Sequence, residues 1–241
     1  MTSVLILALA VAAQNPDSMG VMDTTDRQAT MAAEHQMAAP VANDPHMRLT
    51  ALRPLTAADS ARGVALVAQI RAALVVYRDV QAARADGYRQ FLPGVAQPVY
   101  HFTSRFNALR EMFRFDPTRP TSLLYRKRPD GSFELVGAMY ADRAGASEDE
   151  LNERIPLALA RWHEHVNWCV PPLRERERWT ETNDGRPVFG PKSPIATAEA
   201  CAAAGGRFLP RIFGWMVHVN VFGSDDPRVI WGGTMEHGHQ H

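Results

Sequence analysis

Residues 162–169 run Trp-His-Glu-His-Val-Asn-Trp-Cys, and this segment admits two conformations. As a continuation of a helix entering from Glu148, it would point His163 and His165 about 200° apart, so that they could not chelate together. As a strand, period-2 alternation puts His163, His165, Asn167 and Cys169 on one face and turns Glu164 to the other. A second segment repeats part of the pattern. Trp162/His165/Val166/Asn167 and Trp215/His218/Val219/Asn220 both read Trp-x-x-His-Val-Asn. Extended, the second segment places Met216, His218 and Asn220 on one face. Two neighbouring strands would then present three imidazoles to one point. Neutral nitrogen ligands suit zinc, copper or iron. His101, within Tyr-His-Phe, is the natural fourth ligand. Asn167 and Asn220 are placed to orient imidazoles from outside the ligand shell, or to satisfy backbone groups at strand ends. Glu164 is a candidate base for a metal-bound water only if the alternation fails.

The stretch around the second segment, Phe208 to Phe222, is the most strand-like of the chain, and Val229 to Trp231 reads as a further short strand. Towards the N-terminus, Val99 to Thr103 reads as a strand. Ser122–Arg128 and Phe133–Tyr140 form a hairpin about Asp130-Gly131. Ser147 and Glu150 make a capping box for a helix from Glu148, interrupted at Pro156. Thr56 and Asp59 open a long helix in which Val64, Val67, Ile70, Leu74 and Tyr77 recur at helical spacing, ended by Gly87. Residues 170–194 read as a long polar loop, and Thr197 to Ala204 as a short helix stopped by Gly205-Gly206. Helices and antiparallel strands in separate runs predict an α+β domain: a long N-terminal helix packed on a mostly antiparallel sheet.

The domain so read spans 54–232. Residues 1–13 contain an apolar run, Val4 to Ala13, of the length of a signal-peptide core. A small-residue cleavage site precedes Gln14, although Met1-Thr2-Ser3 carries no basic residue. The run is shorter than the about 20 residues that span a bilayer. No later segment reads as long and apolar enough to cross one. Residues 14–53 lack aromatic side chains and read as a disordered, flexible leader. The leader carries Met19, Met22, Met31, Met37, Met47, His35 and His46, a thioether and imidazole mixture that suits copper. Residues 233–241 form a tail with His237, His239 and His241, a second tract able to capture ions. Cys169 and Cys201 are the only cysteines, and in an exported chain an even count favours a disulfide.

With 26 basic against 26 acidic residues the chain is formally neutral, which removes the usual electrostatic case for nucleic acid or an anionic membrane. Two local basic stretches remain, Arg105/Arg110/Arg114/Arg119 and Arg126/Lys127/Arg128. No phosphate-binding glycine loop, Gly-x-Ser-x-Gly elbow, Cys-x-x-Cys-His or His-Glu-x-x-His motif is present. Two functions follow from the residues. One is an exported protein binding copper or zinc through His163, His165, His218 and His101, for metal handling or as a metal-dependent enzyme of unknown substrate. The other is a non-catalytic secreted or envelope domain whose histidines are structural and whose partners are proteins or small molecules.

Tyr77-Arg-Asp-Val, Ala85-Asp-Gly-Tyr88, the Tyr100-His101 pair, the Leu-Leu-Tyr hairpin strand, Trp-His-x-His-x-Asn-x-Cys, a second Cys and Met-x-His-Val follow one another over about residues 70–222. This succession resembles a group of secreted bacterial proteins with no assigned activity. The resemblance implies export, the disulfide and the grouping of His101, His163, His165 and His218, and it implies no reaction. Here Tyr100-His101 continues into Phe-Thr-Ser, where the resembled sequences have Asn-Pro.

Overall fold

The computed structural model describes residues 44–91, 93 and 97–232. The signal-like segment, residues 14–43 of the leader, and the His-containing tail lie outside them. The fold is α+β. Its strands are β1 (Met47–Leu49), β2 (Arg89–Gln90), β3 (Tyr100–Thr103), β4 (Ser122–Lys127), β5 (Phe133–Asp142), β6 (His163–Val170), β7 (Thr182–Asn183), β8 (Arg186–Pro187), β9 (Arg207–Arg211) and β10 (Trp215–Val219). Its helices are α1 (Ala57–Leu74), α2 (Val80–Ala85), α3 (Arg105–Glu111), α4 (Glu148–Arg154), α5 (Ala198–Ala203) and α6 (Pro227–Trp231). The main sheet is antiparallel throughout and runs β1-β6-β10-β5-β4-β3-β2, with β9 pairing the second half of β6. β7 and β8 form a separate small hairpin inside the stretch read as loop.

Thr56 opens α1 with a complete capping box to Asp59, satisfying two N–H groups that the first turn leaves without partners. The face it buries differs from the expected one. Gly63, Leu66, Ile70 and Leu74 point inward, while Val64 is 73% exposed. Leu159 sits where a side chain at 63 would go: a Cβ there would lie 2.6 Å from Leu159 Cδ1. The stripe therefore runs through the glycine, which composition alone does not mark as a core position. Continued by a 3-10 turn, Val75–Arg78, the helix also meets the length and composition of a membrane span. No such segment was expected beyond the N-terminus. Here its buried side packs on the sheet and its Arg71 bonds the carbonyls of Val221 and Ser224.

The main core lies between this helix layer and one face of the sheet, filled by Leu123, Tyr125, Ala138, Tyr140, Val217 and Trp162 among others. The other face carries a small apolar floor of Leu124, Val136, Met139 and Met216. Two expectations fail. The leader does not extend to residue 53, because Met47–Leu49 pairs with His163–His165 as the sheet's edge strand. Residues 229–231 are helical rather than extended, since Asp226 caps α6 and Pro227 occupies its first turn, the place where proline's fixed φ and missing N–H cost nothing.

Residues 162–169 are extended, which resolves the conformational choice. The strand bends once, at Asn167, whose φ is 56°. Left-handed backbone costs an L-residue about 1–2 kcal/mol, less for asparagine. Beyond the bend, Cys169 forms the disulfide with Cys201 across 32 residues (Cα–Cα 5.4 Å).

Candidate metal centre

β6 and β10 are neighbours, with Met216 opposite His163 in the ladder. β10 pairs β5 on its other side, with His218 opposite Met139. Directly opposed residues share a face, so His163, His165 and His218 all stand on the side away from the main core, above the apolar floor. His101 arrives from β3, opposite Leu124 of β4. In a flat sheet β3 and β10 would be three strand spacings apart, about 14 Å. Instead His101 Nε2 and His218 Nε2 lie 3.4 Å apart. The sheet is rolled, with the histidines on its concave side. All four imidazoles that the sequence singled out are brought together.

The remaining geometry is edge-to-face. His163 stands 5.1 Å, centre to centre, from His218 and 5.7 Å from His165, with interplanar angles of 77° and 84°. Among the described residues, no three His, Cys, Asp or Glu side chains are closed around a single point as ligands. Burial depresses all four imidazole pKa values. That of His163 falls to about 3 by desolvation and by the neighbouring His165 and His101. That of His101 falls to about 4 by desolvation, opposed by a hydrogen bond to the Val99 backbone. His218 is pushed well down by desolvation and then by His163, and His165 is lowered by desolvation, with Asp44 opposing. Four neutral imidazoles at neutral pH are four available lone pairs, the protonation state that a metal requires.

Asn167 and Asn220 do not orient these rings. The Asn167 amide donates to the Pro45 carbonyl at 3.0 Å and that of Asn220 to the Val229 carbonyl at 3.4 Å. Glu164 faces away, fully buried, and ion-pairs with Arg48 and with Arg211 (3.4 Å); it is no base for this site. The contacts around the rings come from residues that the sequence did not suggest. The Val99 backbone holds His101, the Asp44 carboxylate acts on His165, and the Trp168 indole packs 5.5 Å from the His165 ring. Asp44 carries no motif and is placed by the pairing of the neighbouring β1 with β6, whereas Val99 lies two residues before His101 in the chain. His46, read within the flexible leader, is instead a clamp: its two ring nitrogens lie 2.9 Å and 2.6 Å from the carbonyls of Asn167 and Ser193.

Two aromatic side chains flank the cluster. Phe91, whose N–H donates to the His101 carbonyl at 2.8 Å, meets Phe213 edge-on at 6.2 Å. Phe213 follows Ile212, whose N–H donates to the His165 carbonyl at 3.0 Å, and it holds a φ of 104°, a strained value for a residue with a Cβ. Comparison of the chain with protein families, with curated proteins and with solved structures finds no match. The functional reading therefore rests on the residues themselves.

Proposed function

We propose that this is an exported protein that binds one copper or zinc ion through His163, His165, His218 and His101. The observation that carries the reading is the 3.4 Å separation of the His101 and His218 Nε2 atoms. Zinc–imidazole bonds of about 2.0–2.1 Å in a tetrahedron set adjacent nitrogens about 3.3–3.4 Å apart. The neutral state of the rings supports it further. Four imidazoles leave a tetrahedral ion no open position, which favours holding or transferring metal over activating water. Cross-strand methionines, Met216 opposite His163, Met139 opposite His218 and Met47 opposite His165, add soft donors to the same face and tilt the choice towards copper. Export is supported by the signal-like first residues, by the resemblance to secreted bacterial proteins and by the disulfide, a bond that persists in oxidising compartments.

A second reading has an observation of its own. The His101–His218 contact is also a satisfactory hydrogen bond between two neutral rings, and a purely structural cluster would need no ion. Elemental analysis of the full chain separates the two. Wild type is compared with His163→Ala/His218→Ala and with His237→Ala/His239→Ala/His241→Ala, which removes the tail's imidazoles. About one equivalent of copper or zinc, retained in the tail variant and lost in the strand variant, is the expected result. No metal after incubation with both ions leaves the structural domain as the better account.

A further inference from the structure

A second site lies on the other side of β3. Between α1, the β2–β3 edge and α3 the surface opens into a cavity of about 1050 Å³, at the upper end of what small-molecule sites occupy, about 300–1,000 Å³. Its floor is buried and polar: the Asn107 side-chain amide donates to the Tyr88 hydroxyl at 2.9 Å, and the Asn107 backbone N–H donates to the Ser104 hydroxyl at 3.3 Å. Its rim is cationic. Arg89, Arg105 and Arg119 line it against one carboxylate, Asp86, a formal balance of +2. That carboxylate already accepts from the Tyr77 hydroxyl at 2.8 Å. Arg89 is steadied by the carbonyls of Arg84 and Tyr88. The side chains of Arg105 and Arg119 form no hydrogen bond or ion pair among the described residues, since the nearby Asp116 is paired with Arg110 at 3.6 Å. The mild basic stretch visible in the sequence thus divides in the fold: Arg110 is ion-paired with Asp116, whose charge Arg119 also feels, while Arg105 and Arg119 line the cavity.

The geometry points to this cavity as a binding site for a small organic dianion, carboxylate or phosphate, bearing an apolar ring. Guanidinium groups bind either oxyanion through paired N–H donors, and Tyr77 and Phe106, the latter 66% exposed, supply apolar faces beside them. The inference is independent of metal binding, because none of the four histidines lines this cavity.

Phenyl phosphate and phthalate, dianions of similar size with a ring, are titrated into the full chain in the presence of EDTA and followed by calorimetry. Wild type is compared with Arg105→Gln/Arg119→Gln and with Arg128→Gln, which alters an arginine paired with Glu134 on the distant hairpin. Saturable binding of at least one probe is expected, weakened at least tenfold in the double variant, unchanged in Arg128→Gln and falling as salt rises. Phenyl phosphate alone assigns a phosphate ester, and phthalate alone a carboxylate. Both arginines are exposed, so the double variant should keep the wild-type melting temperature. Absence of binding by both probes, or equal binding by all three proteins, overturns the assignment.

Discussion

The His101 ring shows how much a single position draws from its surroundings. Its Nε2 meets His218, its other contact is the Val99 backbone, and burial takes its pKa down to about 4. Metal loading at pH 7 should therefore release almost no protons from these rings. Calorimetry with copper or zinc in two buffers of different ionisation enthalpy should give equal heats, whereas unperturbed histidines, with pKa values of about 6.5, would make them differ. Removing the carboxylate next to the cluster, Asp44→Asn, should weaken metal affinity by less than the about 10–100-fold that losing a hydrogen-bonded outer partner costs, because it acts on His165 through charge alone, as read by competition with a chromogenic chelator. A different buried group governs stability. Glu111 is 2% exposed, accepts from the Thr121 N–H and hydroxyl, and keeps its proton to about 8 because burial raises its pKa. Unfolded, it ionises near about 4.3. Its contribution is thus fully present below that pH and lost as pH rises through about 8. Glu111→Gln should match wild type near pH 4 and gain about 3–5 kcal/mol on it by pH 9 in urea unfolding, with the difference growing between those limits. Three of the four clustered histidines were legible in the sequence because an HxH pair and a repeated Trp-x-x-His-Val-Asn are local patterns. Asp44 and the real task of Asn167 were not, because each depends on a partner far away in the chain.

Among the elements, β6 carries the most consequence. Its first half presents two histidines, its middle turns at Asn167, and its second half ends in the disulfide. The left-handed backbone at 167 predicts that Asn167→Ala destabilises by about 1–2 kcal/mol while Asn167→Gly costs less, measured as shifts in the denaturation midpoint. Gly137 on β5 is a second fixed point. A Cβ there would lie 2.1 Å from the Val219 carbonyl oxygen at the end of β10, so Gly137→Ala should cost at least about 1–3 kcal/mol. It should also lower metal occupancy through the displacement of His218. Alternation made the strands readable and capping boxes made α1 and α4 readable. The buried face of α1 and the helix at 227–231 were misjudged because Gly63 and Pro227 act through their neighbours rather than through hydrophobicity.

At the scale of the molecule the antiparallel sheet with helices on one face follows from the pattern of the chain, whereas its roll does not. No periodicity encodes that β3 curls over β10; that depends on twist, on Gly137 and on the apolar floor. The disulfide closes the long excursion between β6 and α5, 32 residues in sequence, and Cys169→Ser/Cys201→Ser should cost about 4 kcal/mol on the chain-entropy estimate, with the reduced wild type behaving alike. The clustered histidines sit far apart along the polypeptide, His101 and His218 being 117 residues from each other. They meet only when nearly the whole sheet has closed, and non-local pairings of this kind are slow to form. An ion held there would join the chain after the rate-limiting step of folding and would leave the speed of folding unaltered. It would act on the reverse process, lengthening the lifetime of the folded state.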